Sequence, residues 1–119
     1  NNSKLEELEL SGNSNAGSEF ELVSQPLLHS IDISNQGLKE LNIYLPNLKK
    51  ALITFNNLTN IDFINSPNLQ VLNLQSNLIE EINLDSYTKL NTLNLENNPL
   101  TSATKEYIES LVWIENVSY

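Results

Sequence analysis

Leucines recur along this chain at a nearly fixed interval, and such an interval restricts the fold more than composition does. Written in the frame L-x-x-L-x-L-x-x-N-x-L, the sequence supplies Leu28, Ile31, Ile33, Gln36 and Leu38, then Leu48, Ala51, Ile53, Asn56 and Leu58. Leu69, Leu72, Leu74, Asn77 and Ile79 follow, and after them Leu90, Leu93, Leu95, Asn98 and Leu100. The leading positions are thus Leu28, Leu48, Leu69 and Leu90, a step that varies by no more than one. Upstream, Leu5, Leu8, Leu10 and Asn13 fit the first nine positions, one slightly longer step before Leu28. Downstream, Leu111 and Ile114 stand to Leu90 and Leu93 as those stand to Leu69 and Leu72. A unit this short cannot bury its apolar side alone, so successive units must stack and share one continuous core.

The frame also dictates the local geometry. Alternating apolar residues in L-x-x-L-x-L make a short strand whose inward side chains fill the core while the residues between them face out. The amide of each unit sits where the backbone leaves the strand, and a buried amide there can pair with backbone groups that would otherwise be orphaned. Asn13, Gln36, Asn56, Asn77 and Asn98 therefore form an expected ladder. Asn97, one position out of register, is expected to be dispensable.

The frame resembles that of the leucine-rich repeat family, and the likeness covers nearly the whole chain. The resemblance implies an α/β solenoid over residues 1–119 as a single domain of about five turns. That solenoid is a right-handed superhelix with a concave parallel β-sheet, short 3-10 or irregular convex segments and a C-terminal helix-strand cap at about residues 101–119. A 21-residue turn leaves roughly 10 residues for its return half, too few for a long helix. Leu41, Ile43 and Leu45, then Ile61 and Phe63, then Ile82, Leu84 and Tyr87 are expected to line that convex wall. In the cap, Ala103, Tyr107, Ile108 and Leu111 share a helix face, with Thr101, Ser102 or Thr104 at its start and a last strand at 111–114. At the other end, Asn2-Ser3-Lys4-Leu5 looks like Tyr87-Thr88-Lys89-Leu90, so the chain is expected to begin within a solenoid.

Composition narrows the function. Fifteen acids face six lysines without any Arg, and the net charge of −9 repels nucleic acid and anionic lipid alike. No apolar run reaches the 18 residues that membrane insertion requires. Zero Cys removes disulfides and thiolate chemistry. The single His29 sits beside a leading leucine at the edge of a strand, where a surface histidine is expected rather than a catalytic one. Glu7, Glu9 and Asp32 can share one face, but no turn wraps them into a cation cage, and Glu80-Glu81 reads as a solvated loop. The expectation is therefore no catalytic residue, no cofactor and no tightly bound metal.

What remains is recognition. The outward columns of the sheet are Glu7, Ser30, Lys50, Val71, Thr92 and, by extension, Trp113; then Glu9, Asp32, Leu52, Asn73 and Asn94; then Ser11, Ser34, Thr54, Gln75 and Glu96. Leu52 and Val71 become diagonal neighbours, bordered by Phe55. An apolar island in a polar field suits protein contact, so Lys50, Leu52, Phe55, Val71, Asn73 and Trp113 are the expected partner-binding residues. The resemblance likewise implies a non-catalytic protein-binding module. An Asn, Ile and Lys bias without Arg, on short units of this length, is similar to bacterial surface or secreted proteins of the internalin-like group. That places the chain outside the cell or on its surface; the alternatives are a cytoplasmic scaffold and the recognition arm of an enzyme whose catalytic domain lies elsewhere.

Overall fold

The computed structural model describes residues 4–10, 12, 19–23, 25–61 and 64–119. In chain order the elements are β1 (Glu7–Glu9), β2 (Glu19–Val23), β3 (Ser30–Asp32), β4 (Glu40–Tyr44), β5 (Lys50–Leu52), β6 (Ile64–Asn65), β7 (Val71–Asn73), β8 (Thr92–Asn94), α1 (Ser102–Ser110) and β9 (Asn116–Ser118). Each unit of the sequence frame contributes one three-residue strand to a long parallel sheet in the order β1-β3-β5-β7-β8-β9. The inward residues follow one another in register, Leu8 to Ile31, Ala51, Leu72, Leu93 and Val117. Leu28, Ile33, Leu48, Ile53, Leu69 and Leu74 are wholly buried beside them. Burying each such side chain stabilises the fold by about 1.5–3 kcal/mol. The result is a solenoid of about five turns, 41 Å long and 28 × 19 Å across.

The return halves differ from the expectation of irregular or short 3-10 segments. In the first three turns they are strands, and β2, β4 and β6 form a second, three-stranded parallel sheet on the opposite wall. The reason lies in Glu19–Val23 and Glu40–Tyr44, where exposed residues alternate with inward Phe20 and Leu22 and with buried Leu41 and Ile43. That period of two is a strand pattern, and the neighbouring coil offers a matching edge. Only the fourth return segment is irregular: Leu84 is buried, but its N–H goes to the Tyr107 hydroxyl at 2.9 Å instead of to a strand. No 3-10 helix forms among the described residues. Phe63 lies outside them.

The cap contains the second correction. Helix α1 is capped by Thr101, whose side chain accepts from the Thr104 N–H at 3.1 Å. Its buried face is Thr104 and Ile108 with half-buried Tyr107, while Ala103 is exposed. The last strand is β9, Asn116–Ser118, and not residues 111–114. A recurring hydrogen bond shows why. The leading residue of each unit donates its N–H to the carbonyl three positions back: Leu28 to Gln25, Leu48 to Leu45, Leu69 to Ser66 and Leu90 to Tyr87. In the cap both Leu111 and Ile114 donate such a bond, to Ile108 at 3.0 Å and to Leu111 at 3.2 Å, and the pairing of Thr92 with Asn116 gives the leading place to Ile114. The last step therefore runs from Leu90 to Ile114, three positions longer than the step from Leu69 to Leu90. The extra length is absorbed where α1 and its exit turn replace the shorter return. Asn116 then continues the first outward column in the place expected for Trp113.

Tyr107 ties the cap to the solenoid, because its O–H also donates to Asp85 at 2.6 Å. Burial raises its pKa above 10, and the bond to the Asp85 carboxylate raises it further, against the Leu84 N–H, which lowers it. A raised phenol pKa stabilises the fold fully below pH 10 and is lost as pH rises through the folded-state value. Tyr107→Phe should thus lower stability by about 1 kcal/mol at neutral pH. Thermal melts of both proteins should converge above pH 10. A gap that stays constant from pH 7 to 11 would show that this contact does not hold the cap.

Candidate functional site

The surface offered to a partner is set first by the amides beneath it. Asn56, 6% exposed, accepts from the Gln36 and Leu38 N–H groups at 3.1 Å each through Oδ1 and donates to the Ile33 carbonyl at 3.1 Å. Asn77, 4% exposed, accepts from Leu58 at 3.1 Å and donates to the Ile53 and Leu74 carbonyls, both at 2.9 Å. Asn98 repeats this with Ile79, Leu74 and Leu95 at 2.9–3.0 Å. Gln36, on its longer arm, reaches the carbonyls of Leu10 and Ser34. Each amide thus joins its own coil to the preceding one and holds the strand exits at constant spacing. Asn13, the expected first rung, lies outside the described residues.

Two features of this scaffold were not anticipated. A second ladder runs along the strand entries: Asn47 donates to the Pro26 carbonyl at 2.7 Å, Asn68 to Pro46 at 2.6 Å, and Lys89 to the Asn68 side chain at 2.6 Å. Its sequence signal is the polar residue immediately before Leu48, Leu69 and Leu90. Trp113 occupies the same row and donates its indole N–H to the Tyr87 carbonyl at 3.2 Å. It is therefore an edge residue of the cap, off the outward columns, although 37% exposed.

The other feature is backbone conformation. The residue before each described ladder amide is left-handed: Asn35 (φ 59°), Phe55 (φ 55°), Ser76 (φ 58°) and Asn97 (φ 57°), with Gly12 (φ 84°) in the matching place of the first turn. The geometry aims the N–H of Asn35, Phe55 and Ser76 at the carbonyls of Thr54, Gln75 and Glu96 in the next coil. Gly and Asn tolerate such a φ; a phenylalanine incurs about 1–2 kcal/mol of strain. Phe55 is nonetheless 59% exposed and contributes little to the core. Phe55→Asn should raise stability by about 0.5–1 kcal/mol in denaturant titration. A loss of stability would mean that the ring packs where it counts for folding.

The outward columns assemble as expected up to the cap. Lys50 pairs in register with Val71, and Leu52 with Asn73, which makes Leu52 and Val71 diagonal neighbours. Leu52, Val71 and Asn73 are half-buried, and Lys50 is exposed. Asn73 also holds its own strand exit, because Oδ1 accepts from the Gln75 N–H at 3.0 Å, as Asp32 does for Ser34 and Asn94 for Glu96. A shallow depression of about 480 Å³ opens from Leu52 and Val71 across Asn73, Thr92 and Asn94 to Asn116. Charge is graded along the sheet. Glu7, Glu9 and Asp32 lie on the first two strands and Lys50 on the third, while β7, β8 and β9 carry none. A larger hollow of about 690 Å³ lies by the fourth return segment, between Thr59 and Asn83, and beyond the edge of the short sheet.

His29 is an edge residue with Nε2 4.0 Å from a Glu6 carboxylate oxygen. Among the described residues no three His, Cys, Asp or Glu side chains group to hold a metal ion, and no helix is long and apolar enough to cross a membrane.

Comparison with known families decides the reading of the repeat. The family model Leucine Rich Repeat matches residues 68–90 and again residues 89–111, two adjacent coils of the solenoid. Residues 68–111 are leucine-rich repeats. No curated protein matches it in sequence. Leucine-rich repeats generally mediate protein–protein interaction, and the family is typically non-catalytic. The outward columns of the long sheet, rather than a titratable cluster, are therefore the candidate site.

Proposed function

We propose that the chain is a non-catalytic recognition module that binds a protein partner through the long sheet, the concave wall of the solenoid. The observation that carries this reading is the diagonal placement of Leu52 and Val71, with an exposed Phe55 three residues beyond β5. Apolar surface is placed at the centre of a rigid polar sheet, and a large aromatic is kept exposed in a backbone conformation that costs stability. Rigid strands lose little freedom on binding, and aliphatic or aromatic anchors within a polar rim are the usual source of affinity. Lys50 and Asn73 supply the polar frame of that centre, and Trp113 borders it only from the cap edge. The Asn, Ile and Lys bias without Arg, on such short units, supports a role within a bacterial surface or secreted protein.

The test is affinity for a captured partner. Leu52→Glu and Val71→Glu should each weaken binding by about 2 kcal/mol or more, near 30-fold, with unchanged melting temperature. Glu81→Lys, beside the hollow on the other wall, should leave affinity intact. If Glu81→Lys is the damaging change, the partner docks on the return segments and the assignment fails.

A further inference from the structure

Resting on that reading, we infer the chemistry of the partner: an extended segment that places a Lys or Arg over the first two strands and an aliphatic or aromatic side chain on Leu52 and Val71. The strands of the sheet carry their acidic side chains on one side of the apolar centre. Towards β1 they present Glu7, Glu9 and Asp32, while towards β9 the strands present Thr92, Asn94, Asn116 and Ser118, with Glu96 beyond the exit of β8 and Glu115 before the entry of β9. A segment laid across the strands meets the denser set of carboxylates towards β1, and that difference orients it. Its cationic end is drawn to Glu7 and Asp32, and its apolar side chain reaches the Leu52–Val71 pair and the depression that opens from it. Lys50, between the two regions, repels a second cation close to the apolar contact.

Spacing makes this specific. Strands stand about 4.8 Å apart, so Asp32 on β3 lies two intervals from Val71 on β7, and Glu7 on β1 lies three, about 10 and 14 Å. An extended chain advances about 3.3 Å per residue, and side chains four apart share a face about 13 Å from each other. The fitting pattern is thus a basic residue and an apolar residue four positions apart.

The experiment selects phage-displayed random 12-residue peptides on the immobilised chain and discards those that also bind the Leu52→Glu chain. A selected peptide is then measured against a Glu7→Gln/Asp32→Asn double variant. Asn already serves the Asp32 position in β7 and β8, so this variant keeps the acceptor for the Ser34 N–H and removes only charge. The expected result is enrichment of Lys or Arg four residues from an aliphatic or aromatic one, about a ten-fold loss of affinity in the double variant, and weakening by added salt. Peptides that lack a basic residue, or that bind the double variant equally well, would overturn the partner chemistry while leaving the face in place. Peptides indifferent to Leu52→Glu would overturn the face as well, and failure to enrich any peptide would overturn the extended-segment proposal.

Discussion

Asn77→Ala should destabilise the chain by about 3 kcal/mol, a large fraction of what a domain of this size has to lose. The side chain is 4% exposed and makes three hydrogen bonds of 2.9–3.1 Å, so its removal strands the Leu58 N–H in a dry interior. The Leu74 carbonyl keeps its bond from Asn98 at 2.9 Å and the Ile53 carbonyl a longer one from Asn56 at 3.5 Å. The stranded N–H costs about 1–3 kcal/mol, and the two lost bonds add to it. The natural control changes with the structure. Asn97, expected from the frame to be dispensable, sits at φ 57°, where alanine itself is strained. Asn97→Gly is the neutral neighbour, because glycine adopts that conformation freely. Chemical denaturation should separate the Asn77→Ala midpoint widely from the Asn97→Gly midpoint, and equal midpoints would dissolve the ladder.

Ile114→Ala should cost about 2–4 kcal/mol, whereas Val112→Ala should stay within about 0.5 kcal/mol of the parent. Both are aliphatic residues of the cap, two positions apart, yet Ile114 is 7% exposed and Val112 is 91% exposed. Ile114 takes the leading-leucine place because Asn116, two residues on, pairs with Thr92. If the last strand ran through 111–114 instead, Leu111 would lead the unit and Ile114 would be its second inward residue. Column one would then carry Trp113 and not Asn116. Ile114 is inward in either register, so the register itself is checked by exchange protection of the Asn116 N–H, which donates to the Asn91 carbonyl at 2.9 Å.

The sequence made the solenoid legible because its strands are specified locally: each unit repeats the same inward side chains and the same exit amide. The diagonal Leu52–Val71 contact was readable for that reason, since the nearly constant step from Leu48 to Leu69 fixes which outward residues become neighbours. What escaped was decided by contacts between units. The alternation in Glu19–Val23 and Glu40–Tyr44 was present in the sequence, but it becomes a sheet only because two coils offer each other matching edges. Tyr107 alters the preceding return segment by taking the Leu84 N–H from the far side of a whole coil. The cap register moved because α1 with its exit turn is longer than the returns of the regular units, a length that periodicity cannot supply. The left-handed backbone of Phe55 was not legible, because most residues that adopt this φ in other turns are Asn or Gly.

The most direct measurement of recognition by the long sheet is residue-resolved backbone-amide NMR of the chain titrated with its partner. The largest shift changes should gather on Lys50, Leu52, Phe55, Val71 and Asn73, and on the long-sheet strands β3, β5, β7 and β8, with β4 and the fourth return segment unmoved. Changes concentrated on Glu40–Tyr44 or around Glu80, Glu81 and Ile82, with the long sheet silent, would contradict it.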